Sequence, residues 1–265
     1  MIHQSSFIAS GAQIGKNVQV GPFCVIGKNV IIGDNTILHS HVVIEGRTSI
    51  GKNCEIFPFA SIGHKPQDLK YEGEESVVEI GDNNSIREYV TIQPGTKSGR
   101  MKTSVGNNCL LMLGTHIAHD CEVGNNVIFA NLATLAGHVT IGDNVVMGGL
   151  SAVHQFVRIG QHAMIGGCCG VERDVAPFAT VSSERAGISG MNLLGLKRRG
   201  FNQDAILDLQ KAFNIIFFED KKLDDAIKEA REKHSSNKLA MELINFISKE
   251  SKRSLTMKNK RYSED

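Results

Sequence analysis

Residues 8–27 read IASGAQIGKNVQVGPFCVIG and contain the pattern that decides the fold. An aliphatic residue stands at every sixth position, here Ile8, Ile14, Val20 and Ile26. The spacing continues to residue 62, resumes in phase from 80 to 92, and runs from 105 to 171 after a shift of one residue. Every position of this series is apolar, which indicates an internal repeat of six residues rather than a chance pattern.

The repeat has a direct structural meaning. A small or β-branched residue, such as Val18 or Cys24, stands two positions before an aliphatic one, so both side chains point to the same side of an extended strand. Glycine and asparagine, which tolerate the backbone angles of tight turns, come between the strands. Three strands and three turns make a triangular coil of about eighteen residues, and stacked coils bury a continuous core. Such hexapeptide repeats resemble the left-handed parallel β-helix superfamily, and the left hand is taken from that resemblance.

Two stretches interrupt the repeat, and the C-terminal region lacks it. Residues 64–79 break the pattern, and its phase slips around 98–104; such loops on a solenoid often carry binding residues. After residue 186, stretches 191–199, 202–218, 223–234 and 238–251 show helical spacing, with Asn202 and Asn237 as candidate N-caps. We expect an all-β fold with an α-helical tail: a β-helix over 1–186, a helical domain over 187–265 and a frayed end from Lys252.

The composition excludes several classes of protein. The formal net charge of +1 provides no overall field that would attract nucleic acid. No apolar stretch approaches the ~20 residues that cross a bilayer, and no signal peptide is recognisable, so we expect a cytoplasmic protein without a membrane span. Five of the six cysteines occupy the small-residue position of the repeat, which indicates packed thiols rather than a metal or redox site.

Several histidines lie outside the inward positions of the repeat, namely His116, His119, His138 and His154. Residues eighteen apart stack on adjacent coils at roughly 4.8 Å, so we expect His119 beside Gly137 and then Gln155. The neighbouring column would hold Asp120, His138 and Phe156. Each histidine alone is equally consistent with an exposed surface residue. A histidine base beside a glycine N–H is nevertheless what acyl transfer needs, because a hydroxyl must lose its proton and an oxyanion must be stabilised.

Longer motifs carry a resemblance to a known family. The stretches QDLKY (67–71), HIAHDC (116–121), LAGH (135–138), AVHQF (152–156) and GLKRRGF (195–201) occur in this order. With the repeats and the tail, they closely resemble the UDP-N-acetylglucosamine 3-O-acyltransferase family, which catalyses the first step of lipid A synthesis. The resemblance implies transfer of a 3-hydroxyacyl group from acyl carrier protein to the 3-hydroxyl of UDP-N-acetylglucosamine. It also implies a homotrimer with sites between subunits and no metal or other cofactor.

The resemblance assigns roles to the matching residues of this chain. His119 would be the general base for the sugar hydroxyl, the Gly137 N–H would bind the oxyanion, and Asp120 would orient the imidazole. The cleft between subunits would be lined by His116, His138 and His154. The nucleotide sugar would be held by Gln67, Asp68, Lys70, Gln155, Asn192, Arg198 and Arg199, arginine being well suited to phosphate. Without the resemblance, the basic run and the polar loop are typical of ordinary solvated surface.

Three positions qualify what the resemblance implies. Gln93 stands where members of the family often carry a histidine, and Leu194 replaces a common acidic residue. These departures put one cleft contact and one nucleotide contact in doubt. Gly167 occupies the position that limits acyl-chain length, and because glycine leaves the groove open we expect a relatively long 3-hydroxyacyl donor.

Three other interpretations compete with this one. The N-acyltransferase later in the same pathway shares the solenoid, but it carries an extra N-terminal domain, and here the repeats begin by Ile8. A zinc enzyme of the γ-carbonic anhydrase type uses three histidines across a trimer interface, and four clustered histidines keep that interpretation open. A scaffold without catalysis is the third, and the histidine column argues against it.

Overall fold

The computed structural model describes residues 1–258, and the hexapeptide repeat forms the expected stack of short strands. Most strands are only two residues long, because a turn follows each pair. In chain order they are β1 Phe7–Ile8, β2 Gln13–Ile14, β3 Gln19–Val20, β4 Val25–Ile26, β5 Ile31–Ile32, β6 Ile37–Leu38, β7 Val43–Ile44, β8 Arg47–Ile50, β9 Glu55–Ile56, β10 Ser61–Ile62, β11 Val77–Ile80, β12 Ser85–Ile86, β13 Thr91–Ile92, β14 Lys102–Val105, β15 Leu110–Leu111, β16 His116–Ile117, β17 Glu122–Val123, β18 Ile128–Phe129, β19 Thr134–Leu135, β20 Thr140–Ile141, β21 Val146–Met147, β22 Ala152–Val153, β23 Arg158–Ile159, β24 Met164–Ile165, β25 Gly170–Val171, β26 Ala179–Ser182 and β27 Gly187–Met191.

The strands form three sheets that are the three faces of a prism. The first sheet has the order β1-β4-β7-β10-β13-β16-β19-β22-β25, and the second has β2-β5-β8-β11-β14-β17-β20-β23. The third sheet runs from β3 through every third strand to β24, and then to β26 and β27. All pairs are parallel except β26 with β27. The expected parallel β-helix is therefore confirmed.

The core of the prism consists of the aliphatic series identified in the sequence. Along the first sheet Ile26, Ile44 and Ile62 pair in register, and each is 0% exposed. Fully burying one such side chain stabilises the fold by roughly 1.5–3 kcal/mol, and the series repeats this on every face. The cysteines at the small-residue position are also buried free thiols, and only Cys168 among the six is exposed.

Turns between the sheets form three corners along the prism, and each corner has its own chemistry. The asparagine corner joins the second sheet to the third and includes Asn17, Asn35, Asn53, Asn83 and Asn144. The apolar corner joins the third sheet to the first and includes Phe23, Phe59, Tyr89, Leu132 and Leu150. The histidine corner joins the first sheet to the second and includes His119, Asp120, His138, Gln155 and Phe156.

The tail contains four helices, α1 Leu193–Arg198, α2 Gln203–Phe217, α3 Leu223–His234 and α4 Lys238–Ser248. The expected caps are confirmed: the side chain of Asn202 accepts from the first turn of α2, and that of Asn237 from the first turn of α4. Helix α2 packs against α3 and α4 through a buried apolar stripe. Within residues 1–258, no helix has the length and apolar character needed to cross a bilayer.

Three sequence-based expectations about these segments need correction. Strands β11 and β14 begin at residues 77 and 102, inside the stretches expected to be loops, because residues 77–78 pair with β8 and residues 102–103 pair with β11. Residues 187–191 form β27, so the stretch 191–199 with predicted helical spacing begins in a strand and its helix α1 starts at Leu193. The segment 252–258 is not frayed, since Ser254 and Thr256 form backbone hydrogen bonds with Asp174; residues 259–265 lie outside the described part. The division of the chain at 186/187 stays a prediction.

Candidate active site

His119 and Asp120 form a buried pair at the histidine corner. They lie in the turn after β16 and are 7% and 2% exposed, so the alternative of an exposed surface histidine does not hold for His119. Nδ1 of His119 lies 2.9 Å from Oδ2 of Asp120. Adjacent residues can face each other here because Asp120 is in the left-handed region, with φ 61°, which turns its side chain back toward His119.

Asp120 is held by the loop 93–101, which corresponds to the slip of phase in the sequence. Its carboxylate accepts hydrogen bonds from the Thr96 N–H, from the Thr96 hydroxyl at 2.6 Å and from the Arg100 N–H at 2.7 Å. Burial raises the pKa of Asp120, but hydrogen bonds from His119 and Thr96 outweigh it and lower the pKa to about 2. Asp120 is therefore an anion at neutral pH.

Gly137 lies beside the imidazole on the next coil. A methyl group on its Cα would stand 2.4 Å from Cε1 and 2.5 Å from Nε2 of His119, so only glycine lets the backbone approach the ring this closely. Among the described residues no acceptor receives the Gly137 N–H, whereas the neighbouring His138 N–H donates to the His119 carbonyl. The predicted stacking of these positions is confirmed.

His138 and Phe156 continue the corner on the following coils. The His138 ring packs edge-on against His119 at 4.9 Å and stacks on Phe156 at 4.5 Å. Burial lowers the pKa of His138, while the nearby carboxylates of Asp120 and Asp68 oppose that shift. His138 is consequently a neutral imidazole at pH 7.

His116 lies at the start of β16 on the same coil as His119. Its Nδ1 is 2.7 Å from the Thr91 hydroxyl on the coil before. Burial and then the neighbouring His119 lower the pKa of His116. His116 is thus a second neutral imidazole close to the candidate base.

The first interruption of the repeat, residues 63–76, lies at the same corner as the loop 93–101. Gln67 and Lys70 are exposed and Asp68 is half-buried, with its carboxylate accepting from the Lys70 N–H at 3.0 Å. Gln93, which replaces the histidine common in the family, is 7% exposed and accepts the Gln67 N–H through Oε1 at 3.2 Å. Gln93 therefore supports the loop that carries three of the predicted substrate contacts.

Three other predicted residues lie at a different corner. Asn192 caps α1 and donates to the His162 carbonyl at 2.9 Å, and the Arg199 guanidinium binds Asn144 through its side chain and carbonyl. Arg198 is an exposed residue at the end of α1. These residues belong to the asparagine corner, so the fold does not bring them to His119 within one chain.

Two groups of predicted residues remain. Gly167 lies at the apolar corner, whereas His154 and Gln155 lie at the histidine corner, on the coil next to that of Gly137. A methyl group at Gly167 would meet only the Gly149 backbone, at 3.3 Å from its oxygen. His154 and Gln155 are exposed to solvent at the histidine corner, where the C-terminal segment contacts them. One protomer thus distributes the predicted site residues over all three corners.

The ligand atoms of His119, Asp120 and His138 lie within 4.8 Å of one another and form the cluster in residues 1–258 that most resembles a metal site. Both Asp120 oxygens already accept hydrogen bonds from Thr96, and one of them from His119. The arrangement therefore favours a hydrogen-bonded carboxylate–histidine pair over a metal ligand set. Stoichiometric zinc in the purified protein would instead favour the carbonic anhydrase interpretation.

Sequence reasoning missed the residues that support the predicted site. Thr96 and Arg100 hold Asp120, and Arg253 contacts His154 from the far end of the chain. The slip of phase near residue 98 marked the first two as part of a functional loop. No sequence signal placed Arg253.

Known proteins resemble this chain over nearly its whole length. A family model described as Udp N-acetylglucosamine O-acyltransferase, domain 2, matches residues 174–256, and a bacterial transferase hexapeptide model matches residues 11–46 and 102–137. An acyl-[acyl-carrier-protein]--UDP-N-acetylglucosamine O-acyltransferase of Rickettsia canadensis is 56% identical over 95% of this chain and 96% of its own. The protein of the same name from Rickettsia rickettsii is 59% identical over 95% and 96%.

Solved structures give the same result. The UDP-N-acetylglucosamine acyltransferase from Campylobacter jejuni superimposes with a TM-score of 0.92 at 39% identity, over 98% of this chain and 100% of its own. The corresponding enzyme of Francisella novicida has a TM-score of 0.94 at 39% identity, over 97% and 94%. This likeness and the hexapeptide model identify the solenoid as a left-handed β-helix. Because relatives more than half identical cover nearly all of it, the chain belongs to the UDP-N-acetylglucosamine O-acyltransferase family and is an acyltransferase.

Proposed function

We propose that this enzyme transfers a 3-hydroxyacyl group from acyl carrier protein to the 3-hydroxyl of UDP-N-acetylglucosamine, the first step of lipid A synthesis. The names of its relatives support the donor and the acceptor. The residues at the histidine corner supply the chemistry. No metal or cofactor takes part.

The contact between Asp120 and Nδ1 of His119 carries this proposal. An ionised carboxylate only accepts hydrogen bonds, so Nδ1 of His119 is the donor and its proton stays there. Nε2 then holds a lone pair and acts as the general base for the sugar 3-hydroxyl. Asp120 orients the ring and stabilises the imidazolium that forms when the hydroxyl proton moves to Nε2.

The Gly137 N–H is the proposed donor for the oxyanion. The deprotonated hydroxyl oxygen attacks the thioester carbon, and the carbonyl oxygen of the tetrahedral intermediate carries the negative charge. A backbone N–H without a partner, next to the base, is suited to bind that charge. Collapse of the intermediate breaks the carbon–sulfur bond, and the carrier thiolate takes a proton from the His119 imidazolium.

We further propose that the active unit is a homotrimer with each site between two subunits. The apolar corner exposes a column of large side chains, with Phe23 58%, Phe59 48%, Tyr89 58% and Leu150 60% exposed. A second copy would cover such a column, and it would bring another corner next to the histidine corner. Light scattering should give three times the 28.8 kDa mass of the chain, and a monomer would contradict the arrangement.

Gly167 sets the acyl-chain length in this proposal. A Cβ there would meet only the Gly149 backbone, at 3.3 Å from its oxygen, so a side chain would shorten the groove after a small adjustment of that backbone. Gly167→Met should shift the preference toward shorter 3-hydroxyacyl donors, measured as kcat/KM across a series of chain lengths. Unchanged preference would remove this assignment.

A transfer assay tests the function directly. Purified enzyme is given UDP-N-acetylglucosamine and a panel of 3-hydroxyacyl carrier proteins, beside His119→Ala. We expect turnover by the wild type and a loss on the order of 10²–10⁴ in rate for the variant. Lys65→Gln, an exposed change in the loop 63–76 outside the proposed contacts, serves as the control for handling. No turnover with any member of the panel would contradict the proposal.

A further inference from the structure

The C-terminal segment 249–258 has no part in the mechanism above, yet it packs back along the prism next to the histidine corner. Asp174 donates its N–H to Ser254 and accepts that of Thr256, at 2.9 and 2.7 Å. The Met257 carbonyl accepts the Ile188 N–H at 3.2 Å. These contacts hold the backbone of the segment in one position, and a side chain presented by it is held as well.

Arg253 is the side chain that this segment presents to the candidate site. Its Nε donates to the Gln155 carbonyl at 2.9 Å, and one terminal nitrogen lies 2.6 Å from Nδ1 of His154. Nδ1 also lies 3.4 Å from the Gln155 carbonyl, which would need Nδ1 to donate, but the contact with Arg253 is much shorter. A guanidinium has only donors, so Nδ1 of His154 must accept. The proton of the neutral imidazole is therefore on Nε2, which becomes a hydrogen-bond donor directed away from Arg253.

Lys252 contacts the same turn at the residue that follows Gln155. Its Nζ lies 4.3 Å from the centre of the Phe156 ring, and Phe156 stacks on His138. Two consecutive residues of the segment thus contact the turn 154–156, which lies on the coil next to that of Gly137. A segment that served only to close the end of the prism would not need to direct the side chains of Lys252 and Arg253 to this corner.

We propose that Arg253 is a positioning residue, which fixes His154 as the Nε2–H tautomer so that His154 donates a hydrogen bond to an oxygen of the sugar nucleotide. This inference rests on the proposed function for the identity of the ligand. The geometric part, a fork that joins the Gln155 carbonyl to the His154 ring, does not depend on it. Lysine cannot form this fork, because it has one nitrogen where arginine has three.

The test is a double-mutant cycle in the full-length enzyme. We expect Arg253→Ala and Arg253→Lys each to lower kcat/KM for UDP-N-acetylglucosamine about tenfold, through KM, with kcat changed less than about threefold. In the His154→Ala background, Arg253→Ala should cost less than about twofold, because its partner is gone. Lys249→Gln removes an exposed cation of the same segment without touching the fork and serves as the control.

Two outcomes would overturn the inference. Full activity of Arg253→Lys would mean that charge alone matters, and an equal loss with and without His154 would mean that Arg253 only stabilises the fold. Histidine ¹⁵N shifts give a readout that needs no turnover: His154 should be protonated on Nε2 in the wild type and become a mixture of tautomers in Arg253→Ala. If the wild type fails to turn over while the shifts behave as expected, the substrate assignment is wrong and the positioning role stands.

Discussion

The asparagine corner and the histidine corner are made by the same turn, with very different side chains. At both, the second turn residue has positive φ: 60° at Asn35 and 54° at Asn53, against 61° at Asp120 and 62° at His138. Asparagine adopts this conformation readily, and the asparagine side chains form a ladder, with Asn35 donating to Asn53 at 3.2 Å. Aspartate and histidine also adopt this conformation more often than most residues, so the two corners share a backbone geometry and differ in side-chain chemistry.

This difference teaches how the solenoid separates stability from chemistry. Over its first coils the asparagine corner forms a ladder of side chains from the same column, from residue 17 to residue 83, so each coil there supports the next. The histidine corner instead needs residues from outside its column, namely Thr96 and Arg100 in a loop and Arg253 from the tail. The histidine corner is therefore the corner at which segments outside the hexapeptide repeat supply the supporting contacts.

The largest effect should come from adding one methyl group at the histidine corner. Gly137→Ala would place that group 2.4 Å from the His119 ring, which must then move away from its position beside the backbone N–H. We expect kcat/KM to fall on the order of 10²–10³-fold. Gly190→Ala is the matched control, since a methyl there meets nothing within 4 Å. Near-normal activity of Gly137→Ala would contradict the proposed role of the Gly137 N–H and the need for the His119 ring to lie beside it.

Asp120→Asn should have the next largest effect, because it removes the charge that orients the base. We expect a loss on the order of 10²-fold in kcat for Asp120→Asn. Thr96→Val keeps the carboxylate and should lose much less.

Asp120→Asn also tests how much the carboxylate contributes to the free energy of unfolding. The pKa of Asp120 is lowered in the folded state to about 2, so its stabilisation is complete above about pH 4 and is lost as the pH falls toward 2.

Urea unfolding between pH 6 and pH 2.5 measures that contribution. The wild type should lose about 2 kcal/mol more of its unfolding free energy over this range than Asp120→Asn does. Parallel curves for the two proteins would show that the carboxylate is not stabilised by Thr96 and Arg100 as the hydrogen bonds indicate.

The variant His138→Asn places at the histidine corner the residue type that is typical of the asparagine corner. Because asparagine accepts the positive φ at this position, the melting temperature should stay within about 2 °C or rise, while kcat/KM falls about tenfold. The reverse exchange, Asn126→His, introduces a ring at the asparagine corner and should leave kcat/KM within twofold. Loss of activity together with a large fall in melting temperature would show that His138 is mainly structural.

The smallest effect should follow from Asn35→Ala. The change removes two exposed side-chain hydrogen bonds, to Asn17 and Asn53, and places alanine at positive φ. We expect about 1 kcal/mol less stability in urea unfolding and kcat/KM within twofold of the wild type. A change of activity comparable to that of His138→Asn would break the distinction between the corners.

Much of the fold was predictable because the information is local and repeated. The six-residue spacing predicted the strands, and Asn202 and Asn237 predicted the starts of two helices. The boundaries of the interruptions were wrong at residues 77 and 102, where the chain forms strands because a neighbouring strand, β8 or β11, is there to pair with it. The expected fraying was wrong for residues 252–258 for a similar reason, since Thr256 is held by Asp174, a residue far away in the sequence.

The sequence by itself determined which residues share a column, because eighteen residues make one coil and His119 must then lie next to Gly137. Only the tertiary structure decided which way Asp120 faces and what holds it, because the loop 93–101 and the segment 249–258 follow no repeat. Periodic contacts can be read from spacing alone. Contacts between aperiodic segments depend on how the whole chain folds back on itself, and the proposed site depends on both.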